Sequence, residues 1–296
     1  MHTESHSHNE TSSPPSDTAQ AIAAEVLVAL QSGQLDLPTL PAMTVKILNL
    51  IDDPDAASGK IANLLAADPA ISMHIIRAAN SAAYHNGNRV DNLPDAISRL
   101  GYRMLRSMVM NIAIFKLFQA KNPQINSQLG KLWEHSRTVA ANSYVLARQH
   151  SHLKPEQAML AGLVHDIGAL PLYVFADRHH GRVNQTMLEG LIRRYATSIG
   201  TRLLQSWHFP ADLIDVVGGH ENLLRENHSG LADYVDVVTV ANLQMPGTAK
   251  FVAWKSVRAA ARLGFYVEDC QSFLANHADQ LAAVKQMLGI NAPQPA

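Results

Sequence analysis

A histidine followed directly by an aspartate, His165-Asp166, interrupts the apolar run from Ala158 to Ala176, within Gly162-Leu163-Val164-His165-Asp166-Ile167-Gly168. Little else in the sequence is so well suited to chemistry. A neutral imidazole and a carboxylate offer two ligands to one divalent cation, and from adjacent positions on one edge of a helix both can reach the same ion. The bland alternative is a buried His-Asp hydrogen bond that ties helices together, because buried charge is usually paired. A third candidate ligand, His135, lies upstream. If Leu132 to Arg148 and Pro155 to Leu170 form an antiparallel helical hairpin, His135 and His165 are offset by roughly 7 Å along the axes at 1.5 Å per residue. Imidazoles on crossing helices can span that distance, so His135, His165 and Asp166 are expected to be able to share one ion.

The scaffold for these residues reads as helical. Hydrophobic residues make up 47% of the 296 positions and aromatic residues only 6%, and Ala and Leu recur in nearly every segment, which favours helix over strand. The balance of 24 Lys plus Arg against 25 Asp plus Glu gives a net charge of -1. No general positive field exists to hold nucleic acid or an anionic membrane, and neither is expected as a partner. The single cysteine, Cys270, excludes an intrachain disulfide and fits a reducing compartment, where it reads as a small, partly buried apolar residue. His2, His6 and His8 stand in a polar stretch without the apolar core of a signal peptide, so residues 1–16 read as a disordered tail. His165-Asp166 and Pro171 interrupt the longest apolar run, which removes the best candidate for a membrane span. A cytoplasmic location is expected.

Helix signals then divide the chain. Asp17 is expected to cap a helix that Gly33 ends, and Leu37-Pro38-Thr39-Leu40-Pro41 is an extended linker. Met43, Ile47, Leu48, Leu50 and Ile51 predict a one-sided helix over 42–51, and Ser58 is expected to cap the next. Asp68-Pro69 is the usual pairing of N-cap and first helical residue. Asn92 can cap a helix that Gly101 breaks, after which helix resumes from Tyr102 to Gln119; Arg99, Arg103 and Arg106 line this region as a candidate basic face. Asn122-Pro123 reads as an internal boundary, followed by helices over 132–148 and 155–170, the second carrying His165-Asp166. Further helices are predicted over 188–207, 211–223 and 231–243. Met245-Pro246-Gly247 is a second break before helices over 256–263 and 269–288.

Several of these segments together resemble the HDOD family, the HD-related output domains of bacterial signalling proteins, which are themselves similar to the HD and HD-GYP metal-dependent phosphohydrolases. The resemblance rests on the Leu-Pro linker, Asp68-Pro69-Ala70, Arg77-Ala78-Ala79-Asn80-Ser81-Ala82-Ala83-Tyr84, Ala96-Ile97 with Leu100-Gly101, Leu132-Trp133-Glu134-His135-Ser136 and Ala161 to Gly168. It implies an all-α, two-lobed helical bundle: an HDOD domain over 17–245, split into an N-terminal lobe (17–121) and an HD-like lobe (122–245), with a C-terminal helical extension over 246–296.

The resemblance also implies where metal ligands should stand. His135, His165 and Asp166 match the first histidine and the His-Asp pair of active HD enzymes. The later aspartate is replaced by Asn242, a further histidine by Ala196, the lysine after His-Asp-Ile-Gly by Ala169, and of a usual His-His pair only His220 remains, after Gly219. Hydrolysis of a phosphodiester needs a metal-activated hydroxide and well-held positive charge. The expected centre is therefore a vestigial one built from His135, His165 and Asp166, with His220 and Asn242 as weak contributors, requiring no cofactor but able to hold one divalent ion such as iron or manganese. The implied function is a non-catalytic regulatory module acting on a signalling protein partner, with Asn80, Arg99, Arg103 and Arg106 as candidate ligand or partner residues. The alternatives are a metal-dependent phosphohydrolase of a nucleotide or cyclic dinucleotide, and a module that binds a nucleotide-like ligand without turnover.

Overall fold

The computed structural model describes residues 21–22, 24–26, 28–29, 37–84, 87–179, 181–245, 256–265 and 269–290, without the side chains of 269–271. The polar tail with its histidines, the Asp17 cap, the Gly33 stop, the Pro246-Gly247 break and the burial of Cys270 lie outside the described residues and side chains.

Thirteen helices are described: α1 (Ala42–Asp52), α2 (Ser58–Ala66), α3 (Pro69–Ala79), α4 (Leu93–Phe115), α5 (Pro123–Ala147), α6 (Pro155–Val164), α7 (Ala169–Arg178), α8 (Gln185–Ser206), α9 (Ala211–Gly219), α10 (Tyr234–Leu243), α11 (Arg258–Arg262), α12 (Asp269–Asn276) and α13 (Ala278–Met287). There is no strand among the described residues.

Short polar side chains start the long helices. Asp68 accepts the N–H groups of Ala70 and Ile71 ahead of α3, Asn92 that of Asp95 in α4, and Asn122 those of Gln124 and Ile125 in α5. Each satisfies donors that have no acceptor within the helix. Asn122-Pro123 opens a 25-residue helix, nine residues earlier than the apolar pattern from Leu132 predicts. Ser58, expected as a cap, is instead the first residue of α2 and makes no capping bond. In α1 the buried stripe is Thr44, Ile47, Leu48 and Ile51. Met43, expected on the inner face, is 41% exposed, because one residue off the stripe is about 100° around the helix. Gly101, at φ 72°, puts the expected break inside α4 as a kink, a conformation open to glycine.

One hydrophobic cluster runs from Ile47 in α1 through Trp133 and Leu163 to Val284 and Met287 in α13, so the C-terminal segment shares the main core. A second, smaller cluster packs Ile22 and Val26 against Leu172, Leu188, Tyr195 and Ile199. The N-terminal helical residues therefore lie on α7 and α8 although sequence places them with α1–α4. The stretch Pro155–Arg178 is apolar and long enough to cross a membrane, but 78% of its most apolar window is buried within the fold. Its apolarity is consumed by packing against other helices.

Candidate metal centre

Two glycines set the position of the His-Asp pair. A Cβ at Gly162 would lie 2.8 Å from the Cα of Ala140 and 2.9 Å from Ser143 Oγ, so glycine lets α6 approach the backbone of α5 closely. At Gly168 a Cβ would fall 1.8 Å from the carbonyl oxygen of Ala196 and 2.7 Å from Gly200 N, which seats the following turn against α8. The expectation of one helix from Pro155 to Leu170 is corrected here. α6 ends at Val164, and residues 165–168 form a turn with Ile167 N donating to Val164 O and Ala169 N to Asp166 O, each at 3.0 Å. Pro171 has no N–H to offer Ile167 O, so a continuous helix would lose a bond there. The pair stands at the end of a helix, where both side chains point into the junction of α5, α6 and α9.

The pair meets two further histidines. His135 Nε2 is 3.1 Å from His165 Nε2 and 3.5 Å from Asp166 Oδ2, and His165 Nε2 is 3.2 Å from the same oxygen. His220, the residue that ends α9, brings Nε2 to 3.4 Å from Asp166 Oδ1. The opposite ring nitrogens are fixed: His165 Nδ1–H donates to Gly162 O at 2.8 Å and His220 Nδ1–H to Val216 O at 2.9 Å. This pins the tautomers, so that in the neutral rings both Nε2 lone pairs face the carboxylate. His220 Nε2 is buried and makes no hydrogen bond of good geometry. A ring of acceptors around one carboxylate needs a proton or a cation at its centre.

The residues fit a cation. Ligands held at about 2.1 Å around one ion stand roughly 3.0 to 3.4 Å apart in octahedral or tetrahedral geometry, close to the separations among His135, His165 and Asp166. These three form a group whose ligand atoms lie within 4.8 Å of one another. His165 is fully buried, while the side chains of His135 and Asp166 remain 28% and 32% exposed and open the site on one side. A cavity of about 470 Å³, lined by Lys131, Glu134, His135, Thr138 and Met245 among others, leads to His135.

Electrostatics favour the same occupant. Burial, helped by the neighbouring His165, pushes His135 down to about 4, so it is a neutral ligand at physiological pH. Burial opposes ionisation of Asp166, but the His165 and His220 imidazoles hold its carboxyl well below the usual range. For His220 burial acts downward, but the Asp166 carboxylate 3.4 Å away outweighs it and raises the ring.

The other expected site residues have partners of their own or an unpaired polar atom. Asn242, on α10, has a buried Oδ1 with no hydrogen-bond partner. Asn80 is used internally: its amide donates to Val90 O and Ile76 O and accepts Val90 N–H. Arg99 donates to Ala79 O, Arg106 pairs with Asp52, and Arg103 lies 4.0 Å from Glu156. His220 touches Asp166 directly, a larger part than the sequence assigned it. Sequence reasoning also missed Arg137, two residues from His135 and buried, which donates to Leu288 O at 3.1 Å and pairs with Glu134.

Residues 37–223 match the HDOD domain family model. The chain belongs to the HDOD domain family. Among solved structures, this HDOD chain is similar to a candidate metal-dependent phosphohydrolase from Shewanella amazonensis SB2B, at 26% identity with a TM-score of 0.78, covering 92% of this chain and 99% of that one. An HDOD domain protein of unknown function from Geobacter sulfurreducens shares the fold at 23% identity and a TM-score of 0.63, over 92% and 98% of the two chains. So does a candidate signal transduction protein from Marinobacter aquaeolei VT8, at 20% identity and a TM-score of 0.63, over 93% and 66%. An uncharacterised protein of Treponema pallidum (strain Nichols) is 22% identical over 203 residues, which span 64% of this chain but only 38% of the relative. These likenesses support the all-α HD-like fold.

Proposed function

We propose that this HDOD protein is a regulatory module of signal transduction that binds one divalent cation and acts through contacts with a protein partner, without catalytic turnover. The observation that carries this reading is the charge count at the centre. Asp166 is the single carboxylate in the metal-ligating group found among the described residues, so a dication there is only half neutralised by its ligands. Poising a hydroxide between two cations, as phosphodiester hydrolysis of the binuclear kind requires, would need further anionic ligands. Where the resemblance calls for the later aspartate this chain has the neutral Asn242, and of the histidines it calls for, one is Ala196 and only His220 of a pair remains. The backbone of Ala196 is taken up in packing against Gly168.

The test is elemental analysis of the purified protein together with a turnover assay on bis(p-nitrophenyl) phosphate and on cyclic dinucleotides. About one iron or manganese per chain, lost in Asp166→Ala, with no turnover above that variant, is expected. Turnover that Asp166→Ala abolishes would instead establish the second reading, a metal-dependent phosphohydrolase. That reading draws on the Shewanella amazonensis relative and on the cavity beside His135, which has Lys131 at its wall.

A further inference from the structure

The C-terminal helices, beyond the family-matched segment, build one wall of a groove that is separate from the metal centre and is closed on its other side by α3. It has a volume of about 710 Å³, with Leu274, Leu281 and Ile290 as apolar walls and Arg77 and Lys285 as its charged groups; no carboxylate lines it. Arg77 also lines a second cavity, of about 600 Å³, together with Met73, Ile76 and Arg89. The two are neighbours along α3, separated by one guanidinium. Across both, three cations, Arg77, Arg89 and Lys285, face a single acid, Asp91. None of the three cations forms an ion pair within 4.0 Å among the described residues. Met73, on the outer side, is 60% exposed.

The far wall is fixed in place. Arg137 donates to Leu288 O at the end of α13, and Val284, Met287 and Leu288 are buried in the main core. A groove between α3 and α13 is therefore already formed, and a partner need not pay to order it. His135 and Arg137 are two residues apart on α5, roughly 200° around the helix. The metal centre and the C-terminal wall thus flank one rigid strut.

We propose that this groove docks an acidic amphipathic peptide segment of a partner protein, its apolar residues against Leu274, Leu281 and Met73 and its carboxylates on Arg77, Arg89 and Lys285. Apolar contact flanked by unpaired cations matches the helix-in-groove mode of recognition, with charge choosing the partner and apolar area holding it. An open surface groove whose walls include exposed side chains suits a peptide better than an enclosed small molecule. This assignment rests on the protein-contact part of the proposed function and is independent of whether the metal centre turns over.

The experiment is fluorescence anisotropy on the full chain with three labelled 16-residue peptides: an amphipathic Leu/Glu helix, its Leu/Lys counterpart, and a scrambled Leu/Glu sequence. The Leu/Glu helix is expected to bind one to one, and the other two at least about tenfold more weakly. The double variant Arg77→Glu, Lys285→Glu is expected to lose about tenfold or more for the Leu/Glu helix and to gain for Leu/Lys, since two half-exposed pairs are broken and like charges substituted. The metal content of that variant should equal that of the parent, which separates failure of this groove from failure of the metal reading. No binding of the Leu/Glu helix at millimolar concentration, equal binding of the scrambled peptide, or charge reversal without effect would overturn the proposal. Should the double variant misfold, Arg77→Gln read against the same peptides gives the same decision. Stoichiometric uptake of decanoate with no response to any peptide would overturn it in favour of a lipid-like ligand.

Discussion

Two inward-facing carboxylates, Asp166 and Asp236, are neutralised in opposite ways. Asp236, with a side chain 1% exposed, accepts Arg262 Nε at 2.7 Å and Arg225 Nη1 at 3.3 Å, and the backbone N–H of Asp233 in a capping box at 3.2 Å. Its counter-charges are guanidinium groups, which stay charged at any accessible pH. Asp166 is ringed by imidazoles, and the far nitrogens of two of them, His165 and His220, are bonded to carbonyl oxygens. Those rings carry charge only if a proton or a metal ion supplies it. The first carboxylate is complete within the chain and fastens α11 to α10. The second has no fixed counter-charge within the chain and takes one only as a proton or a cation, the difference on which the proposed metal binding rests.

The sharpest way to break this contrast is to remove each carboxylate in turn. Asp236→Ala leaves Arg262 partly buried and without its anion, while Arg225 keeps Asp233 at 2.6 Å, and should lower the unfolding free energy by about 3 kcal/mol, read from urea midpoints. Asp166→Ala in metal-free protein should cost only about 1–2 kcal/mol, because it removes hydrogen-bonding capacity but strands no permanent charge. Equal losses would erase the distinction. Metal sharpens it: manganese at 100 times its dissociation constant should stabilise the parent by about 2.7 kcal/mol. Neither Asp166→Ala nor His165→Ala should show that gain, whereas Asp236→Ala, where still folded, should.

Proton linkage provides the next test. His135 is held at about 4 in the folded chain against an ordinary 6.5, so between those values the unfolded chain binds more protons and stability falls as pH drops from 6.5 to 4. After allowance for its partly exposed side chain, this contributes about 2 kcal/mol. His220 is raised, and works the other way: its contribution is present below 6.5 and is lost as pH rises through its folded value. Asp166 is lowered, so its contribution is present above the ordinary carboxyl value of 3.8 and is lost as pH falls further. Metal-free protein should therefore lose stability as pH falls from 6.5 to 4, and His220→Gln should keep that slope, because the His220 contribution changes only above 6.5. A pH-independent His220→Gln variant over that window would contradict the burial of His135.

The same contrast explains what the sequence made legible. His165-Asp166 and His135 could be linked because helical spacing and one family resemblance bear on them, and Asp68-Pro69 and Asn92 could be placed because capping is local chemistry. The turn at residues 165–168 was not legible, since it depends on Gly168 meeting Ala196 from a distant helix. His220 was undervalued for a similar reason: its Nδ1 bond to Val216 aims the ring, and only the meeting of α9 with the turn brings it to Asp166. Asp236 carried no signal, because Arg225 and Arg262 are separated from it by 11 and 26 positions. The start of α5 was missed because Asn126, Ser127 and Gly130 are weak helix formers, although Ile125 and Leu129 continue the apolar stripe of Leu132 and Trp133 and the Asn122 cap opens the helix.

The arginines at 99, 103 and 106 mark the lower end of the scale. Their spacing suggested one basic face, but Gly101 turns the chain at φ 72° between the first and the other two, and each then finds its own partner. Arg103 is the most exposed, with a side chain 70% accessible and Glu156 at 4.0 Å. A pair that open gains little Coulomb energy and loses it readily to salt. Arg103→Ala should therefore change the urea midpoint by the equivalent of less than about 0.5 kcal/mol and leave manganese uptake and peptide anisotropy unchanged. If instead it weakened peptide binding as much as Arg77→Gln, the cations would act as one continuous surface around α3 and α4, and the docking groove would extend beyond the walls assigned to it.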